Sequence, residues 1–148
     1  MKSSRLLVAV LLAFAVCLAP TSSEARSDFR LTLGADYQVN RGAFFDITGA
    51  ADFIFIGPLS IGARFGALLG TNPTSFGIPI DLDLRISPRS APIYLEALVG
   101  PWIHFSGNFI RAHGAFGFGY QNSAFTFGLE VGYLQPNPHV GLRVGWRF

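Results

Sequence analysis

Residues 140–148 read Val140-Gly141-Leu142-Arg143-Val144-Gly145-Trp146-Arg147-Phe148. Val140, Leu142, Val144, Trp146 and Phe148 fall on one side, and Gly141, Arg143, Gly145 and Arg147 on the other. Neighbouring side chains of a β-strand point to opposite faces, so this period of two marks a strand with one apolar and one polar face. The same alternation recurs up the chain. Phe125 to Tyr133 sets Phe, Leu, Val and Tyr against Thr126, Gly128, Glu130 and Gly132. Ile110 to Tyr120 sets apolar residues against Arg111, His113, Gly117 and Gly119, and Ile93 to Phe105 sets them against Tyr94, Glu96, Leu98 and Gly100. Phe76–Ile86 opposes Asp81, Asp83 and Arg85; Leu59–Leu69 opposes Arg64; Phe45–Phe55 opposes Asp46 and Asp52; and Phe29–Val39 opposes Arg30 and Asp36. Turn signals separate the runs: Asn40-Arg41-Gly42, Gly57-Pro58, Gly70–Ser75, Ser87–Pro92, Gly107-Asn108, Gln121-Asn122-Ser123 and Gln135–Pro138. Eight strands follow, in up-and-down antiparallel order, because no connection is long enough for a crossover.

Composition narrows the class. The 148 residues are 50% hydrophobic and only 14% charged, against about a quarter charged in soluble domains. Mean hydropathy is +0.40. Such a chain is too apolar for disorder, and one cysteine makes no disulfide scaffold. The 17 glycines and 9 prolines interrupt every apolar stretch after residue 20, which argues against membrane helices. Lys2 and Arg5, the apolar run Leu6–Ala19 and Ser23-Glu24-Ala25 have the layout of a signal peptide spanning residues 1–25. Val16 stands where a lipidation site wants a small residue, so Cys17 is read as part of that signal. Residues 26–148 form one domain. They contain no lysine and no basic patch, so nucleic acid is not an expected partner.

Alternation alone leaves open which face is outside, and the composition of the faces decides it. The polar face carries Arg30, Asp36, Asp46, Asp52, Arg64, Asp81, Asp83, Arg85, Glu96, Arg111, Glu130, Arg143 and Arg147. Most of the glycines lie there too, while the other face is rich in phenylalanine and free of charge. An eight-stranded barrel has an interior just wide enough to be filled by side chains. Phenylalanines with leucine, isoleucine and valine would overfill it, whereas glycines between paired arginines and aspartates fit. The expected fold is therefore an all-β, eight-stranded antiparallel transmembrane barrel with the charges inside. Five or six outward residues per strand, tilted about 45°, give roughly 20–25 Å of height, close to the apolar band of such barrels. Tyr37, Phe105 and Tyr133 are expected at one rim, and Tyr120, Trp146 and Phe148 at the other.

On these residues the chain resembles the small eight-stranded outer-membrane barrel proteins of the OmpA/OmpX type. The resemblance covers nearly all of residues 27–148. Its most specific piece is the final strand, whose Val144, Trp146 and Phe148 are similar to the signal by which such barrels are recognised by the assembly machinery. The resemblance implies a diderm, Gram-negative bacterium and carriage by periplasmic chaperones. It further implies insertion by the barrel assembly machinery, contact with outer-membrane lipids and lipopolysaccharide, and a monomer with both termini on the periplasmic side. Surface loops in that family are often long. Here no connection exceeds about seven residues, which argues against a loop-borne adhesin.

The inward charges form the first candidate site. Opposite charges in a narrow, dry lumen must pair, since an unpaired one is costly. An arginine–carboxylate network that plugs the barrel is the leading expectation, giving a non-enzymatic barrel with a membrane-integrity or surface-interaction role, and a narrow, porin-like pore is an alternative. Neither a cofactor nor a metal is expected, because His113 beside Arg111 and His139 after Pro138 have no ligand company at useful spacing. His104-Phe105-Ser106 carries a second alternative. It is similar to the His-x-Ser of the outer-membrane lipid A deacylases, which would make Ser106 the nucleophile, His104 its base and Glu130 the orienting carboxylate. That family has Asn directly after Ser, whereas Gly107 follows here and Asn108 comes one place late. The Gln135–Pro138 segment also resembles it. Pro79 and Pro101 fit poorly inside closed-sheet strands, so Gly100-Pro101 is read as a bulge that would turn Trp102, His104 and Ser106 to the other face.

Overall fold

The computed structural model describes residues 28–88 and 90–148, so the expected signal peptide lies outside the described residues. Eight strands run β1 (Asp28–Gln38), β2 (Gly42–Ile56), β3 (Leu59–Thr71), β4 (Thr74–Ile86), β5 (Ile93–His104), β6 (Ile110–Gln121), β7 (Phe125–Leu134) and β8 (Asn137–Arg147). Each pairs antiparallel with the next, and β8 returns to β1 through pairs such as Leu33↔Val144 and Leu31↔Trp146. The sheet is a closed barrel. Closure removes both edges, and with them the exposed backbone groups that an open sheet of this apolar composition would present.

The turns are tighter than the sequence suggests. Gly70 and Ser75, expected in a connection, are paired strand residues, leaving Asn72-Pro73 as the turn. Asn137 and Pro138 likewise belong to β8. Gly57 takes φ +63° in the Gly57-Pro58 turn, a conformation that glycine adopts without steric cost. The longest connection, residues 87–92, lies at the end that holds Asp28 and Phe148, here called the terminal end. The opposite end, with the β1–β2, β3–β4, β5–β6 and β7–β8 turns, is the loop end.

The charged face turns inward. Among the described residues no charged side chain is exposed, and the outer wall is Phe, Leu, Ile, Val and Tyr. Aromatic side chains ring both ends of that wall: Tyr37, Phe76, Phe105 and Tyr133 near the loops, and Tyr120, Trp146 and Phe148 near the termini. Glycines on the inner face make room for the arginine forks. A Cβ on Gly34 would lie 2.5 Å from a guanidinium nitrogen of Arg143, and one on Gly117 would lie 2.7 Å from Cγ of Glu96.

The expected bulge at Gly100-Pro101 is absent. β4 and β5 keep one register on both sides of it, from Pro79↔Trp102 to Leu82↔Val99. Trp102 and His104 accordingly stay inside, and Pro101 points outward. The register shift lies instead in β2, between Asp52 and Ile54. Pro79 is accommodated because the β3–β4 ladder simply skips the rungs opposite it, resuming from Phe65↔Ile80 at Leu68↔Gly77.

Candidate functional site

The lumen holds two ion networks stacked along the barrel axis. At the terminal end Arg30, from β1, reaches across to β2, β4 and β5. One guanidinium nitrogen donates to Asp52 at 3.1 Å and to Asp83, and another donates to Glu96 at 3.3 Å. Glu96 also accepts from Arg85 at 2.8 Å, and Arg85 donates in turn to Gln121 at 2.9 Å. Ser60 donates to the second oxygen of Asp52. The Arg85 guanidinium lies 3.7 Å from the centre of the Tyr94 ring, a cation–π contact inside the barrel.

At the loop end Arg143, from β8, grips two carboxylates at once. It donates to both oxygens of Asp36, at 2.5 and 3.0 Å, and to both oxygens of Glu130, at 2.8 and 3.1 Å. Its contact with Asp46 is looser, at 3.5 Å. Arg64 donates to Glu130 at 2.7 Å and through two nitrogens to Asp81 at 2.8 and 3.1 Å. Forked donors on planar carboxylates give the strongest and most directional ion pairs that side chains form. Glu130, 0% exposed, lies at the junction of both arginines.

Two histidines complete this half. His113 Nδ1 lies 2.7 Å from Asp81, and His139 Nδ1 lies 3.1 Å from Asp36. A carboxylate only accepts, so both rings carry their hydrogen on Nδ1 and turn Nε2 elsewhere. Trp102 donates its indole N–H to Asp81 at 3.0 Å and lies over His113, with ring centres 4.2 Å apart. Phe44, Leu68, Trp102 and Leu134 pack as an apolar layer between this network and the loop end. Beyond that layer opens a cavity of about 550 Å³, lined by Gln38, Arg41, Phe44, His104, Ser106 and Arg111 among others.

Eleven of the expected lumen charges sit in the two networks, and two do not. Arg147 lies at the terminal rim, half-buried, where it pairs with Asp28 and donates to the carbonyl of Asn122 at 2.9 Å. The strand has already reached the barrel mouth there, so its side chain has no lumen to enter. Arg111 does face inward, but on the cavity side of the apolar layer, and it forms no ion pair among the described residues. The layer separates it from every carboxylate of the networks.

The structure does not assemble the His104–Ser106–Glu130 constellation. Neither ring nitrogen of His104 has a hydrogen-bond partner, and Glu130 is occupied by Arg64 and Arg143 on the far side of the apolar layer. Conversely, His113 and His139 do have ligand company: with Glu130 they place one ligand atom each within 4.8 Å of one another. They come from β6, β7 and β8, so sequence spacing could not reveal the cluster. Phase could have helped, since all three alternate in step with Arg111, Gly117, Gly132 and Arg143. Val144 and Trp146 of β8 face outward, as does Phe148 just past its end; Trp146 packs on Phe125, and Phe148 on Phe29.

No protein-family model matches the chain, and no curated protein matches it in sequence. Its similarities are structural. It is similar to a de novo designed transmembrane β-barrel, with TM-score 0.58 and 15% identity, over 82% of this chain and 95% of that one. It is similar to the N-terminal β-barrel domain of Pseudomonas aeruginosa OprF, with TM-score 0.57 and 11% identity, over 84% and 100%. It is also similar to the Yersinia pestis outer membrane protein Ail, with TM-score 0.55 and 11% identity, over 83% and 100%. With its closed ring of eight antiparallel strands, uncharged outer wall and charged interior, the chain has the fold of the small transmembrane β-barrels of the OmpA type.

Proposed function

We propose that this protein is a monomeric, non-enzymatic barrel of a bacterial outer membrane, sealed by its lumen charges and serving membrane integrity. The observation that carries the reading is the pair of ion networks. Arg30 and Arg64 each span the lumen, to Glu96 and Glu130, Arg143 ties β8 to both neighbouring strands, and an apolar layer lies across the loop end. Eight strands leave no open channel once such side chains fill the interior. The uncharged wall and its aromatic rims favour lipid on all sides, phospholipid toward the periplasm and lipopolysaccharide outside. Turns of two to five residues at the loop end offer little surface for a loop-borne adhesin. Export by the signal peptide, carriage by periplasmic chaperones and insertion through the Val144–Trp146–Phe148 strand belong to the same reading.

Two measurements test it. In an outer-membrane fraction the protein should show heat-modifiable gel mobility, and recovery in the soluble periplasm would reject the membrane assignment. In planar bilayers the purified barrel should leave the baseline flat, and large, stable open states would replace the sealed barrel with a pore.

A further inference from the structure

Four carboxylates of the loop-end network, Asp36, Asp46, Asp81 and Glu130, meet only two guanidinium groups, those of Arg64 and Arg143. With neutral histidines the network carries two negative charges more than positive ones. It does so among groups that are almost wholly buried, where an uncompensated charge is costly. In the same place His113 Nε2 and His139 Nε2 are buried with no hydrogen-bond partner. Both histidine side chains are 0% exposed.

From this we infer that His113, His139 and Glu130 bind one divalent transition-metal ion, of the zinc, cobalt or nickel class, inside the lumen. Two imidazoles and a carboxylate are a donor set for that class, whereas magnesium and calcium prefer oxygen alone. Each histidine already has the supporting carboxylate that metal-bound imidazoles use: Asp81 holds Nδ1 of His113 and Asp36 holds Nδ1 of His139, leaving Nε2 free to ligate. His113 Nε2 lies 3.8 Å from Glu130 Oε1, and all three ligand atoms fall within 4.8 Å of one another. Ligand atoms about 2.0–2.1 Å from a tetrahedral ion lie about 3.4 Å apart, so the cluster closes by an ångström or so on binding. Gly132 lets the His139 ring lie close to β7 and Glu130, since a Cβ there would come 2.7 Å from His139 Nε2. Glu130 keeps Arg64 and Arg143 while ligating, because Oε1, the oxygen nearest His113 Nε2, accepts only one bond, from Arg143, and has a second lone pair. One dication cancels the excess of two negative charges. The apolar layer of Phe44, Leu68, Trp102 and Leu134 covers the site, so the ion enters readily during folding and only slowly afterwards.

The test uses tag-free protein refolded into detergent micelles with cobalt(II) or zinc chloride, then desalted, with folding scored by heat-modifiable mobility. The expected result is about one cobalt per barrel by elemental analysis and the visible absorption of a tetrahedral cobalt site. A chelator should remove it only slowly. His113→Gln and His139→Gln should each weaken retention by about tenfold or more, while His104→Gln, in the cavity beyond the apolar layer, should retain the ion fully. Wild-type barrel that folds but keeps less than a tenth of an equivalent overturns the site, without touching the sealed-barrel reading. Retention unchanged in the folded double variant His113→Gln/His139→Gln also overturns it. So does metal-free wild-type protein whose imidazole nitrogen-15 shifts show both rings doubly protonated and unchanged by zinc, since protons would then supply the charge balance.

Discussion

Toward the termini, Arg30 and Arg85 face Asp52, Asp83 and Glu96; toward the loops, Arg64 and Arg143 face Asp36, Asp46, Asp81 and Glu130 beside two histidines. Both halves are built from arginine–carboxylate pairs that tie one strand to others, yet they differ in what stands in reserve. The terminal half has only its arginines, with hydroxyl and amide groups at its margin. The loop half has imidazoles whose charge, or whose ligand, is conditional. A lumen can thus be rigid at one end and adjustable at the other without any change of fold.

The largest effect should come from the half with no reserve. Arg30→Met leaves three buried carboxylates with Arg85 alone. Breaking a buried pair in this way costs about 3–5 kcal/mol. Urea unfolding in lipid vesicles, followed by tryptophan fluorescence, should show that loss. Arg143→Met should cost less, despite its larger number of hydrogen bonds. Zinc at a hundred times the wild-type dissociation constant should add about 2.7 kcal/mol to any variant that keeps the site, Arg30→Met included, and should add more to Arg143→Met, where the carboxylates freed of their arginine hold the ion more tightly. Equal losses with equal zinc responses would erase the distinction between the halves.

A middle-sized effect tests packing rather than charge. Gly128, on β7, faces Tyr94, and a Cβ there would press on Tyr94 Oη, with Cζ of that ring 3.0 Å away. Gly128→Ala should therefore cost about 1–3 kcal/mol through overpacking and disturb the Tyr94–Arg85 stack. Gly114→Ala, where the nearest atom to a Cβ is the Leu98 carbonyl at 3.8 Å, should be tolerated with little change in the urea midpoint. If the two substitutions behave alike, the terminal half is not packed as tightly as its geometry indicates.

Much of this was legible from the alternation, because a period of two in a closed sheet fixes the facing of every residue at once. Strand count, order and the inward charges all depend on that one property. What escaped depends on contacts between strands. Pro79 looked like a disruption, but a ladder can skip a rung without changing register. The irregularity at Asp52–Ile54 has no local signature, since Phe53 and Phe55 both read as wall residues. His113, Glu130 and His139 are scattered over 27 positions, and only the β6–β7–β8 register brings them together. Arg111 and Arg147 carried the right phase but the wrong depth, and alternation says nothing about distance from the barrel mouth.

The rims extend the comparison and predict the smallest effects. At the terminal mouth Arg147 is paired with Asp28, their side chains 24% and 20% exposed. At the loop mouth Arg41 and Arg111 line one cavity and form no ion pair among the described residues. Arg147→Ala removes an ion pair open to water and should cost no more than about 1 kcal/mol, less at high salt. Arg111→Gln removes one of two like charges that share a cavity, so it should leave stability unchanged or raise it slightly, again with the difference fading as salt screens the repulsion. Urea midpoints at low and high salt resolve the two cases by sign. A loss in Arg111→Gln as large as that in Arg147→Ala would mean that the loop-end cations are held by something other than their shared cavity. The contrast between a paired mouth and an unpaired one would then fail.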